Sequence, residues 1–554
     1  MPKILAPEGL KIETESNGLG APLLGGSEPP TTVSPLGSAR SLRNGAATPL
    51  IGTFGLEEPH AYGSRAASLT DLDDEVPVVT TASGSMELSR VGSKEKTRLE
   101  WLQRLWSFNG PGWLMMVAYI DPGNLEADLQ CGALFNYSLL WALLVSTLMG
   151  LGMQLVAMRL GTVTRRHLAV HCRDHYPKQV RIALWLATEL AIVGSDIQEV
   201  IGCSIGLELM FGFPLWIGVL VSAGLAFTFL FMENLGARKL EAVFAVLITM
   251  LTSTMLYLFA EVSPDQQELA KGMLEPSMPS LDALQQVVGM VGCVIMPHNL
   301  FLHSALVNSR PVEPNAASEA VTFFTIESSF AIATSLLINT ACVAVFAQGF
   351  YGSEVATKIG LRNAGDYLGT AFSPALRTIW ALGLIASGQS STMTGTYAGQ
   401  WVMQGYLDLK VKPWKRAILT RGCALMPTLI VAVMCQKQWE IDVLNGYLNV
   451  LQAMVLPFAM VPLILFASSR GIMGEMALSR VAGASCWVAF SAIMLANCIL
   501  ITGQSAAAGW ALLGGVVTYS FMVVYVIWAP SRSLQALDRS ADPMAEASAA
   551  PNGS

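Results

Sequence analysis

The sequence predicts an all-α, multi-pass membrane protein of about twelve spans, with two five-span halves of opposite orientation followed by two accessory spans. Three observations carry that prediction. Of the 554 residues, 53% are hydrophobic and only 13% are charged, with a mean hydropathy of +0.49; the charged share is about half that of a soluble domain. Apolar runs of roughly 20 residues, enough to cross a ~30 Å hydrocarbon core as a helix, recur between residues 112 and 529. Two of these runs, the first and the sixth, are interrupted mid-span by a proline among polar residues.

The chain opens on residues 1–95, rich in Gly, Ser, Pro and Thr and carrying the acidic run "DLDDE" at 71–75. Such a composition cannot bury a core, so a disordered region is expected. No basic stretch followed by an apolar one opens the chain, so no cleaved signal peptide is expected and the first span directs insertion. The membrane body runs over 105–530, with spans near 112–134, 138–160, 182–208, 213–232 and 239–260 in the first half, about 110–260. Spans near 284–308, 321–348, 371–396, 416–434 and 442–467 make the second half, about 284–467. Accessory spans near 483–502 and 508–529 follow, and residues 531–554 read as a loose tail. The nine cysteines are scattered with no CxxC pair, which argues against a disulfide framework or a zinc site.

Orientation follows from the basic residues of the short connections. Arg165, Arg166, Arg173, Lys178 and Arg181 follow span two, Arg238 and Lys239 follow span four, and Lys410, Lys412, Lys415 and Arg416 follow span eight. The odd-numbered connections carry only Lys271, Lys358, Arg362 and Lys437. The even connections are therefore predicted to be cytoplasmic, and with twelve spans both termini are cytoplasmic too.

Span one breaks at Asp121-Pro122-Gly123-Asn124, and span six at Met296-Pro297-His298-Asn299. Interrupted helices are tolerated in hydrocarbon only where the freed backbone faces protein or a watery cavity. Breaks at matching positions of two five-span halves mark an inverted-repeat transporter with its substrate at mid-membrane. A packing kink would explain each proline alone. It does not explain Asp121, because a carboxylate near the bilayer centre is costly enough to signal function. Asp121 and Asn124 offer hard oxygens, and the unwound turn frees the carbonyl of Ala118. Met296 adds a soft thioether, while the carbonyl of Cys293, one turn earlier, mirrors Ala118. Oxygens with one sulfur suit a late first-row divalent cation, whereas Mg²⁺ and Ca²⁺ prefer oxygen alone.

Span three reads "WLATELAIVGSDIQEVIG" and places Glu189, Asp196 and Glu199 on one stripe about 15 Å long at 1.5 Å per residue. Aligned carboxylates in an apolar helix suit a proton relay. The plainer alternative is a set of structural partners for Arg421 in span nine. His298 lies inside the second break and reads as a pH-tuning neighbour of the site; His303 stands five residues on, off the spacing of a helical zinc pair. Glu126 and Asp128 fit the N-terminal end of a half-helix as well as an outer vestibule. His167, His171, Cys172 and His175 read as chance spacing in a basic connection.

The stretches "DPGNLEADLQ", "MPHNLFLHSAL" and "GQSSTMTGTYAGQWVMQG" resemble the signature segments of the Nramp family of proton-coupled divalent metal transporters, with similarity over about 105–505. The resemblance implies a LeuT-like fold and symport of Mn²⁺ or Fe²⁺, with Co²⁺ and Cd²⁺ accepted, together with protons. It implies as metal ligands Asp121, Asn124, Met296 and the Ala118 carbonyl, with Asn449 of span ten completing the shell in some conformations, although Gln452 lies one turn away. It places proton-conducting acids at the span-three positions, and Asp121, His298 and Arg421 are counted with them on the expected proton pathway. Where the family carries alanine this chain has Cys293, which keeps the carbonyl and adds a thiol. The expected partners are divalent metal ions, protons and the lipid bilayer, with no nucleic acid, no resident cofactor and a monomeric transport unit. No nucleophile–base pair or nucleotide loop points to an enzyme. The plasma membrane or an endosomal or vacuolar membrane is the expected residence. Two alternatives stand beside transport of Mn²⁺ or Fe²⁺: a membrane sensor with a transporter-like body, and a relative carrying Mg²⁺ or Al³⁺.

Overall fold

The computed structural model describes residues 101–540 apart from short stretches at 102–104, 106–107, 109, 234–236, 311, 313–315, 409–412, 435–437 and 504–508. Among the described residues every regular element is helical. The broken first span is α1 (Pro111–Val117) and α2 (Pro122–Phe135), followed by α3 (Leu140–Thr164) as span two. A short α4 (Leu168–His175) leads into span three, α5 (Lys178–Phe211), then α6 (Leu215–Glu233) and α7 (Ala237–Val262). The second half begins after α8 (Gln266–Leu274) with its own broken helix, α9 (Leu281–Ile295) and α10 (Pro297–Leu306). Span seven is α11 (Ala317–Phe350); α12 (Leu361–Ala371) connects it to span eight, α13 (Pro374–Leu407). Spans nine and ten are α14 (Pro413–Met434) and α15 (Gln438–Ser468), and the accessory spans are α17 (Arg480–Gly503) and α18 (Gly509–Trp528), flanked by α16 (Arg470–Met473) and α19 (Ser531–Ser540).

Each predicted span is thus met by a helix, and each half opens on a helix broken before a proline. Among the described residues, seven helical stretches are by themselves long and apolar enough to cross a membrane. The others fall short for local reasons. Span one is cut into two pieces, and span eight carries the polar run 387–396, whose side chains are buried by its neighbours. Large apolar side chains such as Leu148, Leu186, Phe330, Leu337 and Phe521 are exposed, the pattern of surfaces turned to lipid.

Prolines start the half-helices. Pro122 and Pro297 occupy the first turn of α2 and α10, where a missing N–H costs nothing and φ is already helical. Spans three and eight approach closely because Gly388 and Gly395 lack side chains. A Cβ on Gly388 would lie 2.6 Å from the Glu199 carbonyl, and one on Gly395 would lie 2.9 Å from Asp196 Oδ1. Small residues that let backbones meet are the usual basis of helix packing in membranes.

The tail differs from the sequence reading. Residues Ser531–Ser540 are helical rather than loose. Asp538 accepts hydrogen bonds from Ser469 Oγ and the Gly471 N–H, both 2.7 Å, at the start of α16, while Leu534 is buried. Composition alone could not reveal this, because the partner lies about 70 residues away. The expectations for 1–95 and 541–554 lie outside the described residues.

Candidate metal site

The two breaks share one local cause. In a continuous helix the carbonyl of residue i accepts the N–H of residue i+4. Proline has no N–H, so Pro122 strips the Ala118 carbonyl of its donor and Pro297 does the same to Cys293. The next carbonyls of the first break are taken by other spans: Asn339 Nδ2 donates to Tyr119 O at 2.9 Å and Ser387 Oγ to Ile120 O at 2.6 Å. The Ala118 carbonyl takes part in none of the described hydrogen bonds. Across from it, Cys293 O accepts Asn124 Nδ2 at 3.0 Å, which ties the two breaks together.

Asp121 caps α2. Its Oδ1 accepts from the Asn124 N–H at 3.0 Å and from Asn124 Nδ2 at 2.5 Å. Its Oδ2 and the amide oxygen of Asn124 are buried with no hydrogen-bond partner. Met296 stands between α9 and α10 at φ +44°. Ala118, Asp121, Asn124, Cys293 and Met296 are all 0–2% exposed, so the place where the breaks meet is closed to solvent. Buried oxygens without donors are costly and are the arrangement a cation relieves. Among the described residues no group of three or more His, Cys, Asp or Glu converges as a metal cluster. The candidate donors on the two breaks are instead of mixed type: the Asp121 carboxylate, the Asn124 amide, the Ala118 main-chain carbonyl and the Met296 thioether.

Asn449 lies on α15 beside this place, and its Nδ2 reaches the Gly123 carbonyl at 3.4 Å. Its Oδ1 is occupied by Gln198 Nε2 at 2.7 Å, and Gln452 Nε2 donates to Gln198 Oε1 at 2.9 Å. Gln198 also donates to Asn445 O at 3.2 Å. A Cβ on Gly123 would fall 3.0 Å from Gln198 Oε1 and 3.1 Å from Asp121 Oδ2, so glycine is what lets the amide sit beside the carboxylate. Gln198 joins span three, span ten and the first break, and sequence reasoning missed it. The available signal was an amide inside an apolar span, which is costly unless bonded.

The span-three carboxylates divide into two groups. Asp196 and Glu199 are buried and lie against Gly395 of α13, with Ser195 Oγ donating to Glu199 at 2.9 Å. Glu189 is half-buried and accepts from Trp185 Nε1 at 2.9 Å on its own helix. The side chain of Arg421 lies outside the described residues. His298 is buried in the first turn of α10 with Nδ1 unpartnered, whereas His303 Nδ1 meets Gln154 Oε1 at 2.8 Å.

Glu126 does not simply serve the dipole of its own helix. It accepts the Leu361 N–H at the start of α12 at 3.0 Å and Gln130 Nε2 at 2.9 Å. Asp128 is buried with Oδ2 unpartnered. The histidines of the span two–three connection form part of the packing of α4: His167 meets the Trp401 ring edge-on and His171 stacks on His175. Burial, followed by the charges of nearby arginines, pushes the His167 and His171 rings down to about 3 and keeps them neutral.

Comparison with known proteins identifies the family. The family described as natural resistance-associated macrophage protein-like matches residues 112–503. The chain is 47% identical over 455 residues to metal transporter Nramp3.2 of Populus trichocarpa, covering 80% of this chain and 87% of that one. It is 49% identical over 408 residues to metal transporter Nramp2 of Arabidopsis thaliana, covering 72% and 77%. Its fold matches a crystal structure of the Eremococcus coleocola manganese transporter bound to an aromatic bis-isothiourea substituted compound, with TM-score 0.69 at 26% identity over 79% of this chain and 96% of that one. The chain is a member of the Nramp family of membrane metal transporters, not of an enzyme family, and has that family's LeuT-like inverted-repeat fold with two accessory spans.

Proposed function

We propose that the chain is a secondary active transporter that carries divalent transition metal ions, Mn²⁺ and Fe²⁺ first and Co²⁺ and Cd²⁺ also, toward the cytoplasm together with protons by alternating access. The observation that supports this reading is the pair of buried proline breaks, tied together by Asn124 and Cys293, with Asp121 Oδ2 and the Asn124 amide oxygen left without hydrogen-bond partners. Asp121 supplies the negative charge. Asn124 and the carbonyls supply neutral oxygens, and the Cys293 carbonyl becomes available if Asn124 turns its amide. The thioether favours transition metals over Mg²⁺ and Ca²⁺. A manganese transporter among the solved relatives supports the same substrate class.

The proton route runs from Asp121 through Asp196 and Glu199, buried side by side on α5, with His298 beside the site and Glu189 and Arg421 as outlying members. Asn449 joins the shell when it releases Gln198. Basic residues on the even connections support cytoplasmic termini, with the plasma membrane or an endosomal or vacuolar membrane as residence and a monomer as the transport unit. The test is uptake of radioactive Mn²⁺ into proteoliposomes with and without an inward proton gradient, beside the Asp121→Asn variant. Gradient-stimulated uptake that the variant loses is expected. Uptake indifferent to the gradient refutes the coupling, and a variant above half the parent rate moves the metal elsewhere.

A further inference from the structure

The two halves of span one are held by different glutamates. On the half that begins the span, Glu327 of α11 accepts the N–H of Gly110 at 2.5 Å and of Gly112 at 3.1 Å, at the very start of α1. Glu327 is 6% exposed, although it sits on a span and carries a carboxylate. Gly110 adopts φ +141°, a conformation that only glycine holds without strain. A Cβ on Gly112 would fall 3.0 Å from the backbone N and Cα of Ser328, so α1 lies directly on the backbone of α11. Aromatic pairs extend the contact: Phe108 packs on Phe323 and Phe324 with ring centroids 5.4 Å apart, and Trp113 meets Phe330 at 5.9 Å.

The other half is held at its far side. Glu126 of α2 accepts the Leu361 N–H of α12 at 3.0 Å, Gln130 donates to the Ile359 carbonyl at 2.9 Å, and the Glu126 carboxyl also hydrogen-bonds Asp442 of α15. Neither glutamate reaches across the break. Between them the unwound residues 118–121 separate α1 from α2, so each half-helix can move without the other.

We propose that Glu327 and Glu126 are positioning residues that clamp the two halves of span one independently. Releasing Glu327 opens the site to the face on which α1 begins, and releasing Glu126 opens it to the opposite face. The inference rests on the alternating-access reading, since only a carrier needs two separately releasable closures. Losing one or two buried hydrogen bonds is enough for either clamp to shift the balance between closed and open forms by roughly tenfold.

The native thiol of Cys293 reports this directly. It is fully buried at mid-span, and its carbonyl is bonded to Asn124. The full chain is reconstituted in vesicles of uniform orientation, a membrane-impermeant cationic thiol reagent is added on one side only, and labelling of Cys293 is counted by peptide mass spectrometry. Glu327→Ala should raise labelling from the face of α1 by roughly tenfold and leave the opposite face unchanged; Glu126→Ala should do the reverse. Glu327→Gln, which keeps an acceptor oxygen, should restore most of the closure. Gly112→Ala, whose Cβ would fall 3.0 Å from the Ser328 backbone and 3.1 Å from Glu327 Cδ, pushes α1 off α11 and should act in the same direction as Glu327→Ala. Labelling that rises equally from both faces, or that none of these variants moves, overturns the proposal. Because the readout involves no transport, failed Mn²⁺ uptake would refute the carrier reading without altering this result.

Discussion

Met296 offers a test in which stability and metal binding are expected to part company. Among the described residues five non-glycines have positive φ: Asn136, Arg165, Ser263, Met296 and Asp408. Asn136, Arg165 and Asp408 close helices α2, α3 and α13, and Ser263 follows α7; all are polar and stand at turns. Met296 alone is apolar, buried and mid-span, with φ +44° and ψ 115°. Such a backbone costs about 1–3 kcal/mol for a residue with a Cβ and nothing comparable for glycine. Two truncations therefore separate backbone from side chain. Met296→Ala loses the thioether and keeps the strain, whereas Met296→Gly loses both. Alanine normally exceeds glycine by roughly 0.5–1 kcal/mol within helices; here the order should invert, with glycine the more stable by about 1–2 kcal/mol. At ~2.1 cal/mol/K of unfolding entropy per residue, that difference amounts to a shift of roughly 1–2 °C for a body of this size. Tryptophan fluorescence during heating in detergent, with the two variants run together, resolves such a shift. Calorimetric titration with Cd²⁺ supplies the second readout, and both variants should lose about tenfold in affinity, the equivalent of ~1.4 kcal/mol, while Ca²⁺ becomes a better competitor. If Met296→Ala melts at or above Met296→Gly, the packing does not impose this backbone and the placement of the thioether is not built in. If Cd²⁺ affinity survives in both, the sulfur is not a ligand.

Two further outcomes follow from the same site. Glu199→Gln should reduce metal-evoked proton entry more than Mn²⁺ binding, measured side by side with a pH-sensitive dye and by calorimetry; equal loss of both in a destabilised protein would make Glu199 structural. Gln198→Leu strips the partners from Asn449 Oδ1 and Gln452 Nε2, so it should lower stability by about 1–3 kcal/mol for each orphaned group and weaken Mn²⁺ binding, and an unchanged thermal midpoint would show that water replaces the amide.

By itself the sequence determined what depends on neighbours along the chain. Span lengths follow from the thickness of hydrocarbon, and the breaks follow from proline's missing N–H, which acts four residues away at Ala118 and Cys293. Asp121 capping its own half-helix through Asn124 is equally local, so the breaks and the cap beside them depend on nothing distant. The tertiary structure decided what depends on residues far apart. Glu126 looks like an acid at the start of its own helix, yet it caps α12 more than 230 residues on. Glu327 lies in a plain apolar span and is explained only by Gly110 and Gly112, more than 210 residues before it. Gln198, Asn449 and Gln452 gain their meaning from one another across spans three and ten, and Ser531–Ser540 becomes a helix held in place because Ser469 and Gly471 present donors to Asp538. A buried polar side chain must find a partner. The sequence announces that need residue by residue, but which distant group meets it is settled only when the helices are packed side by side.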